Sequence, residues 1–289
     1  MTAPVTRLDG RDGGDPDPAR WRDHRFGLPA DRWQALAGKA FWIIGAGSGY
    51  GRSLAVALAA SGAHVILGGR TIEKLEGTLA ACRELDINTR ACHCIAVDIT
   101  DETSLQDAAA AIGRLGTTLT GWVHCAALPL LPAGPTPLAD LPTSTWRQLF
   151  ETNVTGAWLA WKAACPLLAA SQQWRALLFS SAAGWADTPG YGPYNITKAA
   201  LNNLSMSLAA ETARAHPGRD IQINVIDPGE ARTEMNQGST RSPYAVVAMA
   251  LALLSHPAGG PNGRFFHRDG RHLAFANAAP FPSDLLTPP

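Results

Sequence analysis

Two patterns alternate along the chain from Gly38 onward. Short apolar runs have the length of strands: "AFWIIG" (40–45), "HVILGG" (64–69), "CHCIAVD" (92–98), "GWVHCAA" (121–127), "RALLFSS" (175–181), "IQINVID" (221–227) and "GRFFHRD" (263–269). Between most of them lie segments with helical spacing, among them 52–61, 71–85 and 104–115. Strand and helix repeated in this way predict a parallel sheet with helices on both faces. The runs are apolar almost throughout, as strands are when both of their faces are covered. The expected fold class is therefore α/β: a doubly wound, Rossmann-like parallel sheet in a single domain over residues 37–272.

The two ends break the pattern. "DGRDGGDPDPARWRDHR" is rich in charge, glycine and proline and has no period. Residues 1–36 read as an N-terminal extension, mobile over residues 1–20. Trp21, Phe26 and Trp33 predict that its later part packs onto the domain. Residues 273–289, ending "PFPSDLLTPP", read as an irregular tail.

Composition narrows the classes of function. Hydrophobic residues make up 46% of the chain and charged ones 17%, which suits a large core and argues against disorder. Lys plus Arg and Asp plus Glu both number 24, so net charge points to neither nucleic acid nor a membrane surface. No apolar stretch has the length of a transmembrane helix, and the N-terminus has no signal-peptide core. The five cysteines (Cys82, Cys92, Cys94, Cys125 and Cys165) are odd in number and include no CxxC. A reduced, cytoplasmic protein is expected. Cys92-His93-Cys94 falls in an apolar run, where strand alternation turns both thiols to one face and the imidazole to the other, so it reads as a core strand. The histidines form no HExxH or similar set, and no metal is expected.

One stretch carries more information than the rest. "IIGAGSGYG" (43–51) places Gly45, Gly47, Gly49 and Gly51 at alternate positions directly after the first strand. Glycine costs a helix or strand about 0.5–1 kcal/mol relative to alanine, so four so close together need a reason. A strand-to-helix turn whose backbone N–H groups approach a phosphate supplies one. The strict GxGxxG spelling is absent.

Read as G-x3-G-x-G (Gly45, Gly49, Gly51), the turn resembles that of the short-chain dehydrogenase/reductase family. Other parts of that family's pattern follow in order. They are Asp98 in "VDIT", Asn153 in "NVTG", Ser181 thirteen residues before Tyr194, Tyr194 and Lys198 in "YNITK", and Pro228, Gly229 and Thr233 in "DPGEART". The resemblance covers residues 38–270 and fits the single-domain branch. It departs at Ile44, where the family usually has Thr, at His124-Cys125-Ala126-Ala127 in place of N-N-A-G, and at Asp269-Gly270-Arg271, a partial match to D-G-G.

The resemblance implies an oxidoreductase acting on a carbonyl or secondary alcohol. Tyr194 would be the general acid/base, Lys198 would lower its pKa and hold the nicotinamide ribose, Ser181 would bond the substrate oxygen, and Asn153 would relay protons through water. Ser180 is a rival to Ser181, but the spacing favours Ser181. The cofactor set it implies is Gly45, Ser48, Gly49, Tyr50, Gly51, Arg70, Asp98, Ile99, Ala126, Tyr194, Lys198, Pro228, Gly229, Ala231 and Thr233. The identity of the cofactor follows from the second strand. An NAD site usually places an acid about 20 residues after the turn, yet residues 51–72 contain none. Gly69 stands at that place and Arg70 follows, a guanidinium suited to a 2′-phosphate. NADP(H) is expected.

Trp185 and Tyr191 flank the catalytic segment and residues 230–244 form the expected lid, which leaves steroid, sugar, acyl thioester and quinone-like ketones all open as substrates. The segment 145–170 carries Trp146, Leu149, Phe150, Val154, Trp158, Leu159, Trp161 and Leu167 over more than one helical face. A homodimer or homotetramer built on it and on the helix over 194–213 is expected, unless the N-terminal tryptophans cover it. Two other functions stay open: an NAD-dependent sugar-nucleotide epimerase or dehydratase, and a non-catalytic dinucleotide sensor on the same fold.

Overall fold

The computed structural model describes residues 15–129, 135–185 and 189–273. Seven strands pair in parallel: β1 (Ala40–Ile44), β2 (His64–Gly69), β3 (Cys92–Ala96), β4 (Leu119–His124), β5 (Gln173–Phe179), β6 (Asp220–Asp227) and β7 (Arg264–His267), in the order β3-β2-β1-β4-β5-β6-β7. The doubly wound architecture expected from the alternating runs is the one observed. A short β8 (His272–Leu273) then adds antiparallel to β7. Two residues are too few to show a period, and the expected tail boundary at 273 falls inside this strand. Residues 274–289 lie outside the described residues.

The principal helices are α1 (Gly49–Ala60), α2 (Ile72–Glu84), α3 (Glu102–Arg114), α4 (Thr143–Phe150), α5 (Gly156–Leu168), α6 (Gly192–Ala215) and α7 (Val247–Leu254). Strand alternation divides the core into two layers. Phe41 and Ile43 of β1 join Leu54 and Leu58 of α1 and Leu251 of α7 on one side. Ala40, Trp42 and Ile44 join Leu105 of α3, Trp161 of α5 and Leu208 of α6 on the other. Every residue of β1 is buried, which explains why this run reads as continuously apolar. The order of strands reverses between β1 and β4, and the crevice beyond their carboxyl ends is where this architecture accommodates a ligand.

Three sequence expectations need correction. Residues 15–20, read as mobile from their charge and proline content, are tied down. The Asp17 carboxylate caps the turn Pro18–Arg20, and the Asp15 carboxylate accepts the Ser242 N–H. The chain then runs over α1 and α7, where Phe26 and Leu36 are fully buried, Trp21 stacks on Trp33, and Trp21 Nε1 donates to Leu85 O at 3.2 Å. Residues 1–14 lie outside the described residues. Second, β3 is an edge strand rather than a core strand. Its residues are all at least partly exposed, with Cys92 and Cys94 half-buried against the α1 layer. Third, the helix over 145–170 is not uniformly α: α4 passes through a π-helical turn (Glu151–Thr155) into α5 with helical backbone angles at both junctions. The N-terminal tryptophans pack on the opposite layer, so they leave Trp158 of α5 47% exposed.

Candidate active site

A cleft of about 430 Å³ opens at the carboxyl ends of β1, β2 and β3. The turn from β1 into α1 forms its floor. Gly45 adopts φ +87°, and a Cβ there would lie 2.7 Å from the Ala126 nitrogen. A Cβ on Gly51 would collide with the Gly45 carbonyl oxygen, so two of the four glycines are fixed by backbone meeting backbone. Gly49, at φ +51°, faces the Thr233 methyl, which would stand 3.2 Å from an added Cβ. Bare backbone therefore keeps a gap between the turn and the loop after β6. Ser48 caps α1 and spends no side-chain hydrogen bond on it.

Gly69 and Arg70 form one wall, Asp98 and Ile99 another, and Ala126 a third. Arg70 is exposed and makes no hydrogen bond among the described residues. Burial raises the Asp98 pKa, but bonds from the Thr100 N–H and hydroxyl and the charge of Arg70 outweigh it, holding the carboxyl below its ordinary value. Of the expected cofactor set, Gly45, Ser48, Gly49, Tyr50, Gly51, Arg70, Asp98, Ile99, Ala126 and Thr233 line the cleft. Pro228, Gly229, Ala231, Tyr194 and Lys198 do not. Gly229 instead lies behind Tyr50, whose hydroxyl donates to the Gly229 carbonyl at 2.6 Å while its ring stacks on Phe179.

The catalytic candidates meet beyond β5. Tyr194 and Lys198 lie one turn apart on α6. The hydroxyls of Tyr194 and Ser181 are hydrogen-bonded. Ser181 Oγ also accepts the Ala183 N–H at 3.1 Å. The rival Ser180 is buried with its hydroxyl unpartnered among the described residues. Lys198 is 3% exposed. Its ammonium donates to the Phe179 carbonyl at 3.0 Å and stands 5.7 Å from the centre of the Tyr194 ring.

Electrostatics here differ from the simple expectation that lysine pulls the tyrosine pKa down. Burial pushes Tyr194 up to about 12, the Ser181 bond lowers it, and the Asp227 carboxylate raises it. Burial likewise brings Lys198 down to about 8, against the opposing influence of Cys125 and Asp227. Desolvation is thus the largest influence on both partners, and neither is among the causes of the other's shift. The neighbouring His124, stacked on Trp122 and fully buried, is brought down to about 3 by desolvation and by Lys198, and is neutral.

Asn153 sits in the π-helical turn, buried, with its side chain fully engaged. Its Oδ1 accepts the Leu128 N–H at 2.7 Å, and its Nδ2 donates to Leu128 O and to Thr197 Oγ1. It ties the segment after β4 to α6. Trp185 packs edge-on against Phe265, and it and Tyr191 are both exposed, by 38% and 39%. Asp227 and Cys125 were not singled out from sequence. Each acts on Lys198 electrostatically, and each stands next to a residue the motifs did select, Pro228 and Ala126.

The sequence matches the short chain dehydrogenase family over residues 39–243. It is 31% identical over 222 residues to (-)-trans-carveol dehydrogenase of Rhodococcus erythropolis, covering 71% of this chain and 76% of that one. It is 27% identical over 203 residues to gluconate 5-dehydrogenase of Gluconobacter oxydans strain 621H, covering 70% and 75%. Among solved structures, a short-chain type dehydrogenase/reductase from Mycobacterium ulcerans superposes with a TM-score of 0.72 at 26% identity, covering 80% of this chain and 88% of that one. A short chain dehydrogenase from Shigella flexneri 2a strain 301, complexed with NADP, gives a TM-score of 0.72 at 26% identity, covering 81% and 99%.

Proposed function

The chain belongs to the short chain dehydrogenase family, nicotinamide-dependent oxidoreductases acting on CH–OH or C=O groups of small molecules, and from that premise we propose that it uses NADP(H), with Tyr194 as general acid/base. The observation that carries this reading is the bonded Ser181–Tyr194 pair with the Lys198 ammonium beside it, together with a cleft in which the end of β2 offers Gly69 and a guanidinium that makes no hydrogen bond among the described residues, where an NAD site would place an acid.

The residues fit such a cofactor. Gly45, Ser48, Gly49, Tyr50 and Gly51 would receive the pyrophosphate and adjoining ribose, and Arg70 the 2′-phosphate. Asp98 and Ile99 would flank the adenine, with Ala126 beside it. Thr233 and the backbone around Ala231 would meet the nicotinamide carboxamide, Pro228 and Gly229 would shape the turn that leads to them, and Lys198 would hold the ribose. When bound, the nicotinamide supplies or accepts the hydride. The chain's own part is the proton. A phenol raised to about 12 is protonated at neutral pH and can donate to a carbonyl oxygen that Ser181 positions. Asn153, through Leu128 and Thr197, holds α6 in register with the segment after β4.

The experiment is to follow NADPH absorbance on mixing with a panel of apolar, cyclic, sugar and thioester-linked ketones. Oxidation with NADPH faster than with NADH is expected. Equal use of both cofactors would overturn the NADP assignment, and no turnover with NADPH bound would favour a sensor.

A homo-oligomer belongs to the same proposal. Trp158 on α5 and Ile196 and Met206 on α6 are 47%, 38% and 36% exposed, large apolar side chains that a second copy would cover. Light scattering at micromolar concentration should give a multiple of the chain mass, and a monomer mass would refute it. Free cysteines support a cytoplasmic location, which cell fractionation tests. Among the described residues no helix is long and apolar enough to cross a membrane.

A further inference from the structure

The loop after β6 carries one side of the cleft, and its two ends are held by different parts of the chain. At its start, Thr233 faces the glycine turn, and Glu234 bonds Lys74 of α2 at 2.6 Å. The base of the loop is closed by the Arg232 N–H donating to Arg241 O at 2.8 Å, so a shift at Arg241 reaches Thr233 through one residue. At the far end the partner is the N-terminal extension. The Asp15 carboxylate accepts the Ser242 N–H and, at 3.4 Å, a bond from Arg241 Nη1. Eleven residues later Phe26 lies parallel on the Tyr244 ring, with centroids 5.7 Å apart. Phe26 is 1% exposed, and it and Arg25 adopt φ +51° and +48°, which non-glycine residues seldom do. The extension is therefore seated in one particular geometry.

We propose that Asp15 is a positioning residue for the cofactor and substrate site, clasping the far end of the 231–242 loop so that Thr233 stays opposed to the glycine turn. Through Ser242, Arg241 and Arg232, a residue far outside the dehydrogenase motifs sets the width of the cleft. The chemistry of the clasp is a carboxylate serving one backbone donor and one guanidinium, with the Arg268 side chain as the other nearby cation. The link to cofactor affinity rests on the NADP(H) reading above. The clasp itself does not.

Hydrogen exchange of the full chain, read by mass spectrometry with and without NADPH, tests it alongside NADPH affinity by fluorescence. Asp15→Ala should make amides in 231–244 exchange about three- to tenfold faster and weaken NADPH by a similar factor, with exchange in α3 unchanged. Asp15→Asn keeps an acceptor for the Ser242 N–H and should recover most of the protection. Asp17→Ala, which removes only the cap of Pro18–Arg20, should leave the loop untouched. Wild-type exchange rates in Asp15→Ala, or equal acceleration in Asp17→Ala, would overturn the proposal. Failure of the unmodified protein to bind NADPH would instead sink the cofactor reading, and exchange in the ligand-free chain would still decide the clasp.

Discussion

Between β1 and β4 the site is made of bare backbone and one exposed guanidinium. Between β5 and β6 it is made of polar side chains withdrawn from water. In the first half, Gly45 and Gly51 have no room for a Cβ, a Cβ on Gly69 would press on Leu75 at 3.3 Å, and exposed Arg70 makes no hydrogen bond among the described residues. In the second, Lys198, Asp227 and His124 are all nearly inaccessible, and the Lys198 and Tyr194 pKa values are displaced mainly by burial. A binding wall can be pre-shaped by backbone geometry, at the conformational cost of its glycines and without burying charge. Acid–base groups acquire useful proton affinities by being desolvated, which opposes folding. The two halves should therefore respond to mutation in different currencies: affinity in one, rate and pH-dependent stability in the other.

The largest effect is expected where the chemistry is. Tyr194→Phe removes only the proton donor and keeps the ring, so turnover should fall by about 10²–10⁴-fold. NADPH binding, measured by fluorescence, should stay within a few-fold. Near-normal turnover in this variant would remove Tyr194 from the mechanism and dissolve the contrast between the halves.

The next effect belongs to the binding half. A hydrogen bond to a charged group contributes about 1.5–3 kcal/mol, so Arg70→Ala should weaken NADPH by roughly ten- to a hundredfold. NADH affinity should barely change, because the 2′-hydroxyl offers no charge for Arg70 to meet. Equal weakening of both cofactors would mean that Arg70 shapes the wall without reading the phosphate.

The same contrast explains what could be read from sequence. Glycine spacing, the missing acid before Arg70 and the apolar runs are local features, and the strands and the cleft floor lie where those features put them. The candidate catalytic residues are ones the motifs bring forward, and their electrostatic environment is not written in those motifs. Burial moves both Tyr194 and Lys198, and the charges that act on them belong to Cys125 and Asp227, which come from two other strand ends and have no spacing relation to "YNITK". The N-terminal extension was the least legible. Its proline and charge content reads as disorder, yet Asp15 and Asp17 each find a backbone N–H to accept. A cap or a clasp leaves no periodic trace. Likewise the π-helical turn around Asn153 interrupts a continuous apolar pattern without any glycine or proline within Glu151–Thr155 to announce it.

The smallest effect is also the one that separates burial from binding. Lys198 holds its proton less tightly in the folded chain, at about 8, than at the ordinary value of 10.5. The cost to stability is fully present below about pH 8, where the buried ammonium is charged, and is relieved as pH rises from there toward 10.5. Lys198→Met removes that cost while losing the bond to Phe179 O, which offsets part of the gain. At pH 7 the variant should melt higher than the parent by roughly 2–4 °C, corresponding to about 1 kcal/mol. The gap should narrow, and can reverse, as both are measured at rising pH across the 8 to 10.5 window. NADPH affinity should fall in the same variant, since the ribose contact is gone. A gap that stays constant with pH would mean that Lys198 is not held against its solvation, and the catalytic half would then be no more strained than the glycine turn.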